Sequence, residues 1–92
     1  MSFGLYAIRD VKTSFLSPAI DVNDQAAVRN FYHTVQNSEG VMYSCPQDFS
    51  LYRVGEFDAD SGLLIPASPI VYLASASDAI AALDAERGVS HA

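Results

Sequence analysis

The sequence has one cysteine, few positive charges and no long apolar segment. Cys45 has no partner for an intramolecular disulfide and no neighbour for a Cys-x-x-Cys metal or redox pair, which favours a reducing compartment. Five Lys and Arg against eleven Asp and Glu give a net charge of −6. The chain therefore has no broad cationic surface that would bind duplex DNA by charge alone. No apolar run free of charge and proline approaches the roughly 20 residues of a transmembrane helix, so no membrane span is predicted.

The motifs of common enzymes and metal sites are also missing. The sequence contains no phosphate-binding glycine loop, no dinucleotide-binding motif and no nucleophile elbow. His33 and His91 are too few and too poorly placed to indicate a metal site, because His33 is predicted on the solvent-facing side of a helix and His91 in the C-terminal tail. The carboxylates of Glu56, Asp58 and Asp60 are spaced like calcium ligands, but the terminal bidentate Glu is absent and a hairpin turn explains them better. We therefore predict a non-enzymatic protein with no catalytic residues, metal or cofactor.

Half of the 92 residues are hydrophobic, so the chain should fold as a single domain over residues 1–92. Strand-like composition predicts an antiparallel sheet of about four strands near residues 3–9, 12–16, 50–57 and 63–73. One main amphipathic helix, over residues 24–36, is predicted to pack on a face of this sheet. A short alanine-rich C-terminal helix follows at about residues 76–87. The predicted fold class is α+β.

Local signals support these boundaries. Asn23 can cap the helix that begins at Asp24. Residues 58–62 have the composition of a hairpin loop, in which Gly62 is free to take a positive φ. Because proline lacks the backbone donor of a strand ladder, Pro66 and Pro69 predict that the last strand is an edge strand or a kinked one.

The C-terminal helix has a weaker apolar stripe. Ser77 is its predicted cap, Gly88 follows its end, and residues 89–92 are predicted to be a loose tail. Its alanines favour a helix but offer little area to bury. This helix and the strand edge near the prolines are therefore the surfaces predicted for homo-oligomer formation, most simply a homodimer.

Charge is unevenly divided along the chain. Residues 1–53 carry a net charge of −1 and residues 54–92 a net charge of −5. The first part holds four of the five cations together with several aromatic residues, among them Tyr6, Phe15, Tyr32, Tyr43, Phe49 and Tyr52. A sheet face that combines arginine with aromatic rings would stack unpaired bases. The same rings are also the large residues from which a small domain builds its core. Both interpretations remain open at the level of sequence.

Three segments, at residues 5–13, 23–31 and 46–62, resemble a known viral family. The most specific is the block DFxLYxVGEFDxxSG at residues 48–62. Together, over about residues 3–66, they resemble the small nonstructural protein of gokushoviruses. These are tailless icosahedral phages of the microvirus group (Microviridae) with circular single-stranded DNA genomes. The family is often labelled a DNA-binding protein.

This resemblance implies an intracellular phage protein, acting in the host bacterial cytoplasm and associated with genome replication. It also implies a counterpart of the small protein that, in related phages, turns duplex replication toward packaging-coupled single-strand synthesis. The family has no established catalytic residues to carry over to this chain.

Two hypotheses follow. In the first, the protein binds single-stranded DNA, and its affinity falls steeply with salt. The binding residues would be Arg9, Lys12, Arg29 and Arg53 with Tyr6, Tyr32 or Tyr52. In the second, it is a protein-interaction module that docks on the phage replication initiator, a host replication protein or the procapsid. Its acidic C-terminal part would then mimic or repel DNA.

Overall fold

A computed structural model describes residues 1–86 of the chain. Arg87, Gly88, His91 and the predicted tail at residues 89–92 lie outside the described residues. The described elements, in chain order, are β1 (Ser2–Asp10), β2 (Ala19–Asp21), α1 (Asp24–Gln36), α2 (Val41–Ser44), a 3-10 turn (Pro46–Asp48), β3 (Phe49–Asp58), β4 (Leu64–Ser75) and α3 (Ala76–Glu86).

The strands form one antiparallel sheet in the order β2-β1-β3-β4. With one main helix and a short C-terminal helix, this confirms the predicted α+β fold. β4 lies at one edge of the sheet, as Pro66 and Pro69 predicted, and the Ser68–Pro69 peptide bond is cis. The strands predicted at residues 50–57 and 63–73 correspond to β3 and β4.

The main helix has the predicted bounds and the predicted cap. Asn23 is extended, and its side-chain oxygen accepts a 2.8 Å hydrogen bond from the backbone N–H of Ala26. This satisfies one of the free amides in the first turn of α1. The apolar face that the spacing predicted is turned toward the sheet, with Phe31 and Val35 buried, whereas His33 is exposed as predicted.

The hydrophobic core lies between the sheet and the helices. It is formed by side chains from β1, β3, β4, α1 and α3: Tyr6, Ala27, Phe31, Val35, Phe49, Leu51, Ala74, Ala76 and Ala79. Met42 of α2 packs against the same cluster. All three helices therefore contribute to a core on one face of the sheet.

The second strand differs from the prediction. A strand was expected at residues 12–16, but this segment begins as a turn, in which Thr13 donates a backbone hydrogen bond to Asp10, and contributes one bridge, between Phe15 and Arg9. Regular pairing with β1 begins at Ala19, beyond Ser17 and Pro18. The reason is that Asp10 also accepts from the backbone of Lys12 and from the Thr13 hydroxyl, which favours a turn over a strand at this point.

The hairpin between β3 and β4 matches its prediction. Gly62 has a φ of +78°, and its N–H donates to the carbonyl of Asp58. The Asp58 carboxylate accepts a 2.9 Å hydrogen bond from the backbone N–H of Asp60. This bond and those from Ser61 lower the pKa of Asp58. The Asp58 carboxylate therefore stabilises the turn by accepting hydrogen bonds from its residues.

One further local prediction, the cap of the last helix, was wrong. Ser75 caps the last helix, because its hydroxyl accepts from the N–H of Asp78 at 3.1 Å, and this replaces the cap predicted at Ser77. Just before β3, Pro46–Asp48 forms a 3-10 turn. Proline at the first position of such a turn has no backbone donor to leave unpaired.

Candidate nucleic-acid interface

The sheet has two faces of different character. Ile8 and Leu51 are opposite each other on β1 and β3 and pack against the core. Since successive side chains of a strand point to opposite faces, the neighbouring pair Ala7 and Tyr52 points away from the helices. We term this side of the sheet the open face.

Three aromatic rings lie side by side across the open face, and we term them the aromatic row: Phe15, Tyr52 and Tyr72. The ring centroids of Phe15 and Tyr52 are 5.6 Å apart at an interplanar angle of 71°. Those of Tyr52 and Tyr72, which are paired across β3 and β4, are 5.7 Å apart at 78°. These are edge-to-face contacts. Because Phe15 is 42% and Tyr72 is 53% exposed, the row presents ring surface to solvent.

Two cations lie at the Phe15 end of the aromatic row. The guanidinium carbon of Arg9 is 6.0 Å from the centroid of the Phe15 ring, at the outer limit of a cation–π contact. Lys12 is exposed in the turn that leads to Phe15. Of the seven residues predicted for nucleic-acid binding, the structure therefore brings Arg9 and Tyr52 together, with Lys12 nearby in the chain.

Tyr6 and Arg53 lie on the helix side of the sheet instead. They are opposite each other on β1 and β3, and both reach Asp24 at the start of α1. The Tyr6 hydroxyl donates a 2.7 Å hydrogen bond to the Asp24 carboxylate, and Arg53 Nε lies 3.4 Å from the same oxygen. Arg53 also lies 4.0 Å from Glu56. The two carboxylates outweigh its charge, so this cluster does not attract a phosphate.

The contact between Arg53 and Asp24 is an ion pair without a well-aligned hydrogen bond. Arg53 Nε is buried and, within residues 1–86, has no acceptor that meets hydrogen-bond geometry. The Tyr6 ring extends over Gly4, where a Cβ atom would overlap the ring. Burial is the largest cause that raises the pKa of Tyr6, followed by its hydrogen bond to Asp24. These contacts attach the sheet to the start of α1, beside a cleft of about 460 Å³.

The remaining two predicted residues lie on α1. Arg29 is exposed, and Tyr32 is half-buried against the core. Burial, and then the charge of Asp78, raise the pKa of Tyr32. Both residues border a groove between α1 and α3, on the other side of the sheet from the aromatic row. The seven predicted residues thus lie in three separate places.

The prediction omitted two of the rings in the row. Phe15 was noted among the aromatic residues but not assigned to the site, and Tyr72 lies in the acidic part of the chain. Only the pairing of β3 with β4 places Tyr72 beside Tyr52. The alternation of side chains along β1 was a usable signal, because it places Tyr6 and Arg9 on opposite faces.

Within residues 1–86, no three His, Cys, Asp or Glu side chains gather as a set that could hold a metal ion. No helix in that range combines the length and the apolar composition needed to cross a membrane.

A four-stranded antiparallel sheet with helices on one face and aromatic rings on the other defines a small α+β domain with an open sheet surface. The chain belongs to the family described as Phage ORF5 protein, which matches residues 3–79. The match confirms a phage protein family, and it extends beyond residue 66, where the resemblance in sequence ended, to the first turn of α3. No curated protein and no solved structure matches the chain.

Proposed function

We propose that the open face binds single-stranded DNA. Unpaired bases would stack on Phe15, Tyr52 and Tyr72, and Arg9 would contact a phosphate beside them. The observation that carries this proposal is the row of three exposed or half-buried rings with an arginine at its end. Base–aromatic stacking contributes about 1–3 kcal/mol per base and accepts any base, since every base has a π-face.

The acidic charge of the chain favours single strands over duplex DNA as the ligand. A net charge of −6 repels phosphates in bulk. In a duplex the base faces are already stacked on one another, so an aromatic row offers them little. In a single strand the faces are free, and stacking supplies affinity that does not depend on neutralising many phosphates.

The role that fits this activity is that of a non-enzymatic accessory factor in phage genome replication. The block at residues 48–62 that resembles gokushovirus proteins supports a phage with a single-stranded DNA genome, and family membership supports a phage protein. We place its action in the host bacterial cytoplasm, at the step where duplex replication gives way to single-strand synthesis. Phage or host replication proteins would be its neighbours there.

A fluorescence-polarisation titration of a labelled single-stranded oligonucleotide, at low and at moderate salt, tests the proposal. We expect saturable binding at low salt, with weaker binding of a duplex of the same sequence. Replacing Tyr72 by Ala removes one exposed ring and should weaken binding about 5- to 150-fold, the equivalent of one stacked base. Circular dichroism of the variant checks that the fold is retained.

The chain offers matched controls for both kinds of contact. Tyr43 is exposed to a similar extent as Tyr72, at 43%, but belongs to α2, so Tyr43→Ala should leave binding unchanged. Arg29→Ala removes the same charge as Arg9→Ala, but on α1. Arg29→Ala measures the effect of the changed net charge alone, and Arg9→Ala should weaken binding more than Arg29→Ala does.

Two outcomes would overturn the assignment. Absence of binding at low salt would exclude the DNA-binding function and favour the second hypothesis. In that case the acidic chain would dock on a replication initiator, a host replication protein or the procapsid. If Arg9→Ala and Arg29→Ala lowered the affinity for the oligonucleotide equally, DNA would be bound, but not by the open face.

A further inference from the structure

The two edges of the sheet are unequal. β2 forms one edge with only three residues, whereas β4 forms the other with twelve. Among residues 1–86, no strand pairs with the outer side of β4. An edge strand presents backbone N–H and C=O groups that can pair with another strand. β4 is therefore the longer available edge.

The chemistry of this edge differs from that of the rest of the chain. Residues 61–77 form a stretch of 17 residues without a charged side chain, the longest in the sequence. Proteins commonly protect an exposed edge with charges, prolines or β-bulges; β4 has Pro66, Pro69 and two register shifts against β3, but no charged side chain. Its apolar side chains are exposed, with Leu64 at 63%, Ile65 at 51% and Tyr72 at 53%.

We infer that β4 pairs with β4 of a second copy of this chain, antiparallel about a two-fold axis. The charge of the chain supports this occupant. Two copies with a net charge of −6 each repel one another wherever their acidic surfaces meet. The uncharged edge is where a second copy can approach without that repulsion, and an antiparallel strand pair is self-complementary about a two-fold axis.

The prolines restrict the register of this pairing. Pro66 and Pro69 cannot donate a backbone hydrogen bond, which leaves Ile70–Ser75 as the proline-free part of the strand's C-terminal half. A two-fold axis at Tyr72 pairs Val71 with Leu73 of the other copy and Tyr72 with its own counterpart, and it leaves out Ala74, which is only 4% exposed within its own chain. None of these three positions is a proline, so each has a backbone N–H.

The result is one eight-stranded sheet with two aromatic rows on the same face. Each copy contributes Phe15, Tyr52 and Tyr72, and the two Tyr72 side chains meet at the axis. The inference does not rest on DNA binding, because it follows from the edge and its lack of charge. If DNA does bind, the open face of the dimer offers a continuous row of six rings.

Sedimentation analysis of nuclease-treated protein over a concentration series tests the pairing without nucleic acid. We expect a mass of twice the 9.9 kDa chain. Ile70→Lys places a charge on the β4 edge and should yield the monomer mass. Ile20→Lys is the matched control, since Ile20 is 50% exposed on β2 at the opposite edge, against 41% for Ile70. This variant should remain a dimer.

A cysteine placed at the axis tests the register. In a Cys45→Ala background, Tyr72→Cys should form an intermolecular disulfide on mild oxidation. Residues opposite each other in an antiparallel pair have Cα atoms about 4.5–5.5 Å apart, within the range of a disulfide. Ile20→Cys in the same background should not cross-link. A monomer mass at every concentration would overturn the inference. A dimer that persists in Ile70→Lys would also overturn it, because the two copies would then be joined by a surface other than β4.

Discussion

Tyr6 on β1 and Asp24 at the start of α1 are joined by a 2.7 Å hydrogen bond from the tyrosine hydroxyl to the carboxylate. Tyr6 is only 4% exposed, so the bond connects the buried side of the sheet to the helix. Tyr6→Phe keeps the ring and removes this bond. We expect the free energy of unfolding, measured by denaturant titration, to fall by about 1.5–3 kcal/mol, as for a hydrogen bond to a charged acceptor.

The control for this change is another tyrosine that lacks such a contact. Tyr43 is 43% exposed on the short helix α2, and Tyr43→Phe should alter the free energy of unfolding by less than about 0.5 kcal/mol. An unchanged stability in Tyr6→Phe would mean that solvent replaces the bond to Asp24 without loss.

The same residue predicts how stability responds to alkaline pH. Burial first, then the bond to Asp24, raise the pKa of Tyr6 in the folded protein, whereas an unfolded tyrosine ionises near pH 10. Above about pH 10 the unfolded chain therefore binds fewer protons than the folded chain, and stability falls as pH rises. Tyr6→Phe lacks this contribution. In denaturant titrations, the stability difference between wild type and Tyr6→Phe should shrink as the pH rises above about 10. An equal dependence of the free energy of unfolding on pH in both proteins would contradict the assignment.

Gly62 provides a prediction for the hairpin. Its φ of +78° is unfavourable for residues with a Cβ atom, although no atom lies within 4 Å of the Cβ position. Gly62→Ala should therefore destabilise the protein through the backbone alone, by about 1–2 kcal/mol in the free energy of unfolding. Gly40 has a φ of −102°, and a Cβ there has only ordinary contact with Ser38, so Gly40→Ala is the matched control. If Gly40→Ala lowered the free energy of unfolding as much as Gly62→Ala does, the cause would be a general effect of alanine and not the positive φ of Gly62.

Much of the fold was predictable because its signals are local. The cap at Asn23, the apolar spacing along α1 and the turn residues before Gly62 each act within a few residues, and the structure agrees with all three. The prolines of β4 identified an edge strand because a missing donor is tolerated only there.

The candidate site was less predictable because it depends on pairing between distant segments. Tyr72 joins Tyr52 only through the register of β3 and β4, and that register shifts between Leu51 and Tyr52. A shift of one residue reverses the face on which every later side chain lies. Composition placed Arg53 with Arg9, but strand parity separates them onto opposite faces.

The salt dependence of binding provides a quantitative test of the open face, because few cations lie beside the aromatic row. The sequence alone predicted a steep dependence based on four cations, but the structure places only Arg9, with Lys12 near it in the chain, beside the row. For single strands, the slope of log affinity against log salt is about −0.7 per phosphate contacted. Two contacts give a slope no steeper than about −1.5. Titrations at several salt concentrations measure this slope, and Arg9→Ala should make it shallower by about 0.7. A slope near −3 corresponds to about four phosphate contacts, which either the two aromatic rows of a dimer or the addition of Arg29 and Arg53 would supply. Only in the second case would Arg29→Ala make the slope shallower, and that result would require a binding surface other than the aromatic row.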